Sequence, residues 1–149
     1  MERALRLALV KVDDPAILVL FDADDDCPAT MGPGLLQMAE QVLGRQAPVA
    51  VVLAKAEYET WFVACLDQLH GKRGIRRDAR VPHDPEAIRG AKEYLEQQMT
   101  PGRFYSETVD QPALTQLIDV ERTRSRSPSF DKLWREVERL VLRGRPSPS

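Results

Sequence analysis

Six apolar residues in a row, Ala16 to Phe21, stand between Asp13-Asp14-Pro15 and Asp22. The length of the run, its Ile and Val, and the Pro before it predict a strand buried on both faces rather than a buried helix. Val49 to Ala54 repeats the pattern behind Ala47-Pro48 and predicts a second buried strand. Between them, Leu35, Leu36, Ala39, Val42 and Leu43 recur at helical spacing, and Gly44 stands where that helix should end. Pro28 to Gly34 holds Pro28, Gly32, Pro33 and Gly34 and reads as a loop. Strand, helix and strand over this length make a βαβ unit, whose strands are parallel.

The flanks are helical. Leu5, Ala8, Leu9 and Val12 form one stripe along Glu2 to Val12, ended by Asp13-Asp14-Pro15. Trp61, Phe62, Cys65, Leu66 and Leu69 form a second, regular enough to be read as core. Ile88, Ala91, Leu95 and Met99 share a face of a helix capped by Asp84, with Pro85 in its first turn and Thr100-Pro101-Gly102 as its stop. Arg103 to Thr108 reads as irregular chain or a short edge strand, after which Asp110-Gln111-Pro112 opens a short helix with Leu114, Leu117 and Ile118 inward. Leu133, Trp134, Val137, Leu140 and Val141 line the last helix, with Ser129 as its cap and Gly144 as its stop. Residues 1–144 read as one domain and 145–149 as a disordered tail. A helix leading into a parallel strand normally completes a crossover from an earlier strand. None precedes it, so the fold is expected to be incomplete on its N-terminal side.

Composition narrows the class without naming a chemistry. A chain of 149 residues, 43% hydrophobic and 30% charged, suits a folded domain with a modest core. A net charge of -2 supplies no global attraction to nucleic acid or membrane. Phosphate contacts would therefore rest on local basic segments, Gly71 to His83 and Arg122 to Ser129, both read as loops. Cys27 and Cys65 are too few for a disulfide framework and match no zinc spacing. Cys65 reads as core and Cys27 as partly exposed. No apolar run reaches membrane-spanning length and no signal peptide is visible, so a cytoplasmic location is expected.

The chemistry gathers where the strands end. The first runs into Asp22, Asp24, Asp25 and Asp26, anions that repel one another in water. In extended chain Asp22 and Asp24 point the same way. A hard cation such as Mg²⁺ relieves the repulsion, binding one or two carboxylates together with waters and phosphate oxygens. Asp-rich turns also arise because Asp suits turns and helix caps. Glu57 and Glu59 leave the second strand at the same edge of the sheet, where open parallel sheets bind ligands. Their structural alternative is the first turn of a helix, where acids suit the dipole.

Four separated segments resemble an uncharacterised bacterial family of Toprim-like proteins: Phe21-Asp22-Ala23-Asp24-Asp25-Asp26-Cys27-Pro28, Glu57-Tyr58-Glu59-Thr60-Trp61-Phe62, Tyr105 to Pro112, and Ser125 to Phe130. They span nearly the whole chain in order. The resemblance implies a Rossmann-like α/β fold, a small parallel sheet flanked by helices. It implies Mg²⁺ or Mn²⁺ held by an Asp-x-Asp pair, which Asp22 and Asp24 match, and phosphoryl transfer on DNA or RNA. It also suggests an ATPase partner in a bacterial defence system. The first Toprim strand, with its glutamate, has no counterpart, and Glu57 or Glu59 would stand in from the neighbouring strand.

The expected site is accordingly Asp22, Asp24, Glu57 and Glu59 as catalytic carboxylates. Asp22, Asp24 and Asp26 are the metal ligands, and Lys55, Arg124 and Arg126 the phosphate contacts. Two further readings accompany this nuclease-like one. A non-catalytic interaction subunit would have its open sheet edge completed by another chain, which includes a homodimer. A sugar-nucleotide transferase shares the acidic motif but needs a nucleotide-binding half before it.

Overall fold

The computed structural model describes residues 1–11 and 13–143. Its centre is a mixed α/β unit. β1 (Ile17–Asp22) and β2 (Val49–Ala54) pair in parallel, with Ile17 opposite Val49 and Asp22 opposite Ala54. α2 (Pro28–Leu43) joins them, and α1 (Glu2–Leu9) packs against α2. The expected order of strand, helix and parallel strand is therefore present, as a two-stranded sheet flanked by helices.

Beyond β2 the chain is helical: α3 (Thr60–Ala64), α4 (Ala91–Gln97), α5 (Glu107–Thr115), α6 (Val120–Arg126) and α7 (Pro128–Arg143). One core joins Leu5 of α1, Ala39 and Leu43 of α2, and Ile17, Val49, Val51 and Leu53 of the strands. A second joins Phe62, Leu66, Leu69, Ile75, Leu95 and Leu114. Trp61 bridges the two halves. It is fully buried, stacks edge-on against Phe130 with ring centres 5.4 Å apart, and donates its Nε1–H to Ser129 Oγ at 2.9 Å.

Several expectations need correction. β1 is not buried on both faces: Leu18, Leu20 and Phe21 keep 38%, 37% and 37% of their surface. An apolar run records affinity for a core but not how many layers cover it. Residues 28–34 are not a loop but the first turns of α2. Pro28 occupies the first helical position, where its missing N–H costs nothing, and Pro33 comes early enough to remove a single hydrogen bond. The helix expected from Trp61 to Leu69 breaks at Cys65 into α3, buried all round, and a 3-10 turn, Leu66–Leu69, that buries Leu66 and Leu69. The one expected from Asp84 to Met99 is a 3-10 turn, Pro85–Ala87, followed by α4 after the left-handed Gly90. Asp84 does accept the Glu86 N–H.

α5 starts at Glu107, not Asp110, and Pro112 lies inside it. Arg122 to Arg126 is helix rather than loop, because Asp119 caps Arg122 N–H at 2.8 Å. Ser127, not Ser129, caps α7, accepting the Phe130 N–H at 3.2 Å. Val141 faces outward at 53% exposure, while Leu140 is buried. In the basic stretch 71–83, Ile75 is buried in the second core. Val12, Gly144 and the tail 145–149 lie outside the described residues.

Candidate metal and phosphate site

Two parallel strands that end in register deliver their following residues to one edge. Asp22, the last residue of β1, sits beside Ala54, the last of β2. Both chains then turn through left-handed backbone, at Asp24 with φ 47° and at Ala56 with φ 59°. Asp24 N–H donates to Ala56 O at 2.9 Å, which ties the turns together. Extended-chain alternation thus stops before Asp24, so the expected same-face argument does not apply there. Proximity comes from the paired turns instead. Non-glycine residues in this conformation cost energy and collect at functional sites.

Asp22 lies near enough to Glu59, Asp24 and Glu57 to feel their charges. Asp22 is pushed above the usual carboxylate value, first by partial desolvation and next by the negative charge of Glu59, with smaller contributions from Asp24 and Glu57. The Tyr58 backbone N–H pulls the other way. Glu59 is buried at 2% exposure and its Oε1 accepts two hydrogen bonds, from Tyr105 Oη–H at 2.7 Å and Gln111 Nε2–H at 3.1 Å. Burial and the Glu59 charge push the Tyr105 phenol well above its usual value, which keeps it a donor. Glu57 Oε2 accepts the Lys92 backbone N–H at 2.9 Å.

A cavity of about 360 Å³ opens beside the turns, lined by Asp24, Asp25, Lys55 and Glu57 and, across from them, Arg89 and Gly90. Arg89 meets Asp25 at 3.6 Å, both nearly fully exposed. Lys55 also donates from Nζ to Asp26 O at 3.5 Å, so an ammonium stands over the acidic turn. The Asp26 carboxylate lies outside this lining.

Arg124 and Arg126 are engaged elsewhere. Arg124 Nε donates to Asp131 at 3.0 Å and lies over the Trp134 ring at 5.9 Å. Arg126 donates to Pro82 O at 2.6 Å. Neither lines the cavity. A phosphate-binding loop is expected there, whereas the segment is α6.

Among the described residues no group of three or more His, Cys, Asp or Glu side chains is arranged to hold a metal ion. An all-protein cage therefore does not fit; Mg²⁺ commonly takes only one or two carboxylates and completes its shell with water. Asp22 and Asp24 make no salt bridge within 4.0 Å among the described residues. Sequence reasoning missed Tyr105, Gln111 and Arg89. Tyr105 and Gln111 lie 46 and 52 positions from Glu59; their segment, 105–112, carries part of the family resemblance, but no local pattern in it links them to Glu59.

The chain belongs to the family defined as a domain of unknown function, DUF4276, whose model matches residues 1–138. No curated protein and no solved structure matches it. Among the described residues no helix is long and apolar enough to cross a membrane.

Proposed function

We propose that this protein is a Toprim-like phosphoryl-transfer domain that acts on DNA or RNA with Mg²⁺ or Mn²⁺. The observation that supports it most is the convergence of Asp22, Asp24, Glu57 and Glu59 at the ends of two parallel strands, beside a cavity that also holds Lys55 and Arg89. Asp22 and Asp24 would hold the cation, whose charge would polarise a phosphodiester and stabilise the oxygen that attacks or leaves. Lys55 and Arg89 steady non-bridging phosphate oxygens from the cavity wall. Glu59 is a positioning residue for Asp22, itself held by Tyr105 and Gln111. Asp26 and Arg126 are assigned no role.

Asp22→Asn and Asp24→Asn test this, since Asn tolerates the left-handed turn at position 24. Each should lower metal-dependent cleavage of single- or double-stranded DNA or RNA at least about 100-fold and weaken Mn²⁺ uptake in calorimetry. Cleavage that survives both substitutions overturns the assignment.

A second reading has its own observation. Among the described residues no strand pairs with the outer edge of β1, and Leu18, Leu20 and Phe21 of that strand stay partly exposed, which favours a subunit that docks another chain, within or apart from a defence assembly with an ATPase.

A further inference from the structure

The two outer edges of the sheet differ. α7 closes that of β2: Arg139 Nη2 donates to Val49 O at 2.8 Å, and Lys55 N–H to Ser129 Oγ at 3.4 Å. Among the described residues no strand pairs with the outer edge of β1. Ile17 N–H donates to Pro48 O at 2.9 Å and Ala23 N–H to Ala54 O at 3.0 Å. The two-residue period then turns the peptide groups of Leu18, Leu20 and Asp22 away from β2. Leu18 and Leu20 are also more than a third exposed. From Ile17 to Phe21 the edge has no proline, glycine or charge, the devices that normally keep an edge from pairing.

The flanking charges indicate what pairs there. Asp13 and Asp14 precede the strand, Asp22 and Asp24 to Asp26 follow it, and no cation occurs from 13 to 26; Lys55 and Arg89 reach the turn from other segments, at Asp26 O and Asp25, and among the described residues Asp13, Asp14, Asp22 and Asp24 have no ion-pair partner. A second copy added antiparallel about a two-fold axis sets the acidic turn of each strand against Asp13-Asp14 of the other. Added parallel, it sets acidic turn beside acidic turn. Both arrangements put like charges across the new ladder. We propose that the β1 edge takes an extended segment of a different protein, apolar at its centre and flanked on both sides by Lys or Arg. The proposal rests on the docking reading and is independent of phosphoryl transfer.

The probe is a fluorescein-labelled peptide, Lys-Arg-Val-Thr-Val-Thr-Val-Arg-Lys, titrated into the full chain in EDTA so that metal chemistry plays no part. It should bind at least about tenfold more tightly than the same peptide with Glu at all four flanking positions. The margin should shrink as salt is added. Hydrogen exchange at the Leu18, Leu20 and Asp22 amides should slow on binding. A peptide N-methylated at alternate central amides should not bind, a control that leaves the protein unchanged. Equal binding of acidic and basic peptides, unaltered exchange at those amides, or a dimer in sedimentation that already protects them overturns the proposal. Loss of metal-dependent cleavage in Arg89→Met, a cavity-wall residue away from the β1 edge, with peptide binding undiminished separates this inference from the enzymatic one.

Discussion

Asp22 is where the fold works against itself. Its carboxyl is held above the ordinary 3.8 because ionising it means losing water and facing Glu59. A carboxylate raised in the folded state contributes stability that is complete below its unfolded value and is lost as pH rises through its folded one. Asn, neutral at every pH, suffers no such loss. With divalent ions chelated, Asp22→Asn should therefore melt higher than the parent at pH 7, by no more than about 1 kcal/mol because solvent screens a partly exposed charge. Below pH 3.8 the gap should close. Added Mg²⁺ should raise the parent's melting temperature and leave the variant's unmoved, since the cation replaces the proton in relieving Glu59. Thermal melts across pH, with and without metal, read this out. A parent that outlasts the variant at pH 7 without metal would mean that Asp22 is a structural acid. That Asp22-Ala23-Asp24 and Glu57-Tyr58-Glu59 leave the same edge of the sheet was legible, because both follow apolar runs of strand length. What restrains Glu59 was not, because Tyr105 and Gln111 arrive from another part of the chain.

Helix α7 shows the same division among elements. Its apolar stripe announces a helix, and the stripe's inner side, Leu140 with half-buried Leu133 and Val137, is as the period requires. Its placement is set by polar atoms that periodicity does not register. Ser129 Oγ accepts from Trp61 Nε1–H and from Lys55 N–H, and Ser129 N–H donates to Glu86 Oε1 at 2.8 Å. Ser127 Oγ–H reaches the same Glu86 oxygen at 2.6 Å. Serines that read locally as cap and loop thus dock α7 on the end of β2, on α3 and on the 3-10 turn at Pro85–Ala87. Removing the Ser129 hydroxyl strands a fully buried indole N–H, and an unsatisfied buried donor costs about 1–3 kcal/mol. Ser129→Ala should lose that much in denaturant unfolding. Its Trp61 emission should shift relative to the parent, with Trp134 supplying a constant background. No loss of stability would place the α7 contact in the packing of its Phe130 against Trp61 alone. The basic stretch 122–126 was misleading for a related reason: alternating Arg and hydroxyl residues look like loop, yet Asp119 caps them into α6.

For the whole molecule the question is how a small sheet holds a site whose restraints come from the helical half. Asp110 is the link. It is fully buried in the first turn of α5, and its Oδ1 accepts from Arg73 at 3.0 Å and Arg103 at 2.5 Å, while Oδ2 accepts Ser106 N–H at 3.0 Å. Those contacts fix the start of α5, and through it Tyr105 and Gln111, which fix Glu59 beside Asp22. The triad is asymmetric. The carboxylate is sealed in, whereas the guanidinium groups keep 37% and 38% of their side-chain surface. Losing the acid frees two arginines to turn toward water; losing both arginines leaves an uncompensated buried charge. Arg73→Met with Arg103→Met should therefore cost about 3–5 kcal/mol in unfolding free energy, the usual penalty for orphaning one side of a buried pair. Asp110→Asn should cost less, about 1.5–3 kcal/mol, the range for hydrogen bonds to a charged group. Both should speed hydrogen exchange at Ser106 and along the first turn of α5 more than in β2, because the triad anchors that helix and not the sheet. Equal costs for the two variants, or exchange that quickens uniformly, would mean that α5 is held by Leu114 and its apolar neighbours, and that the site does not depend on the distant ion triad.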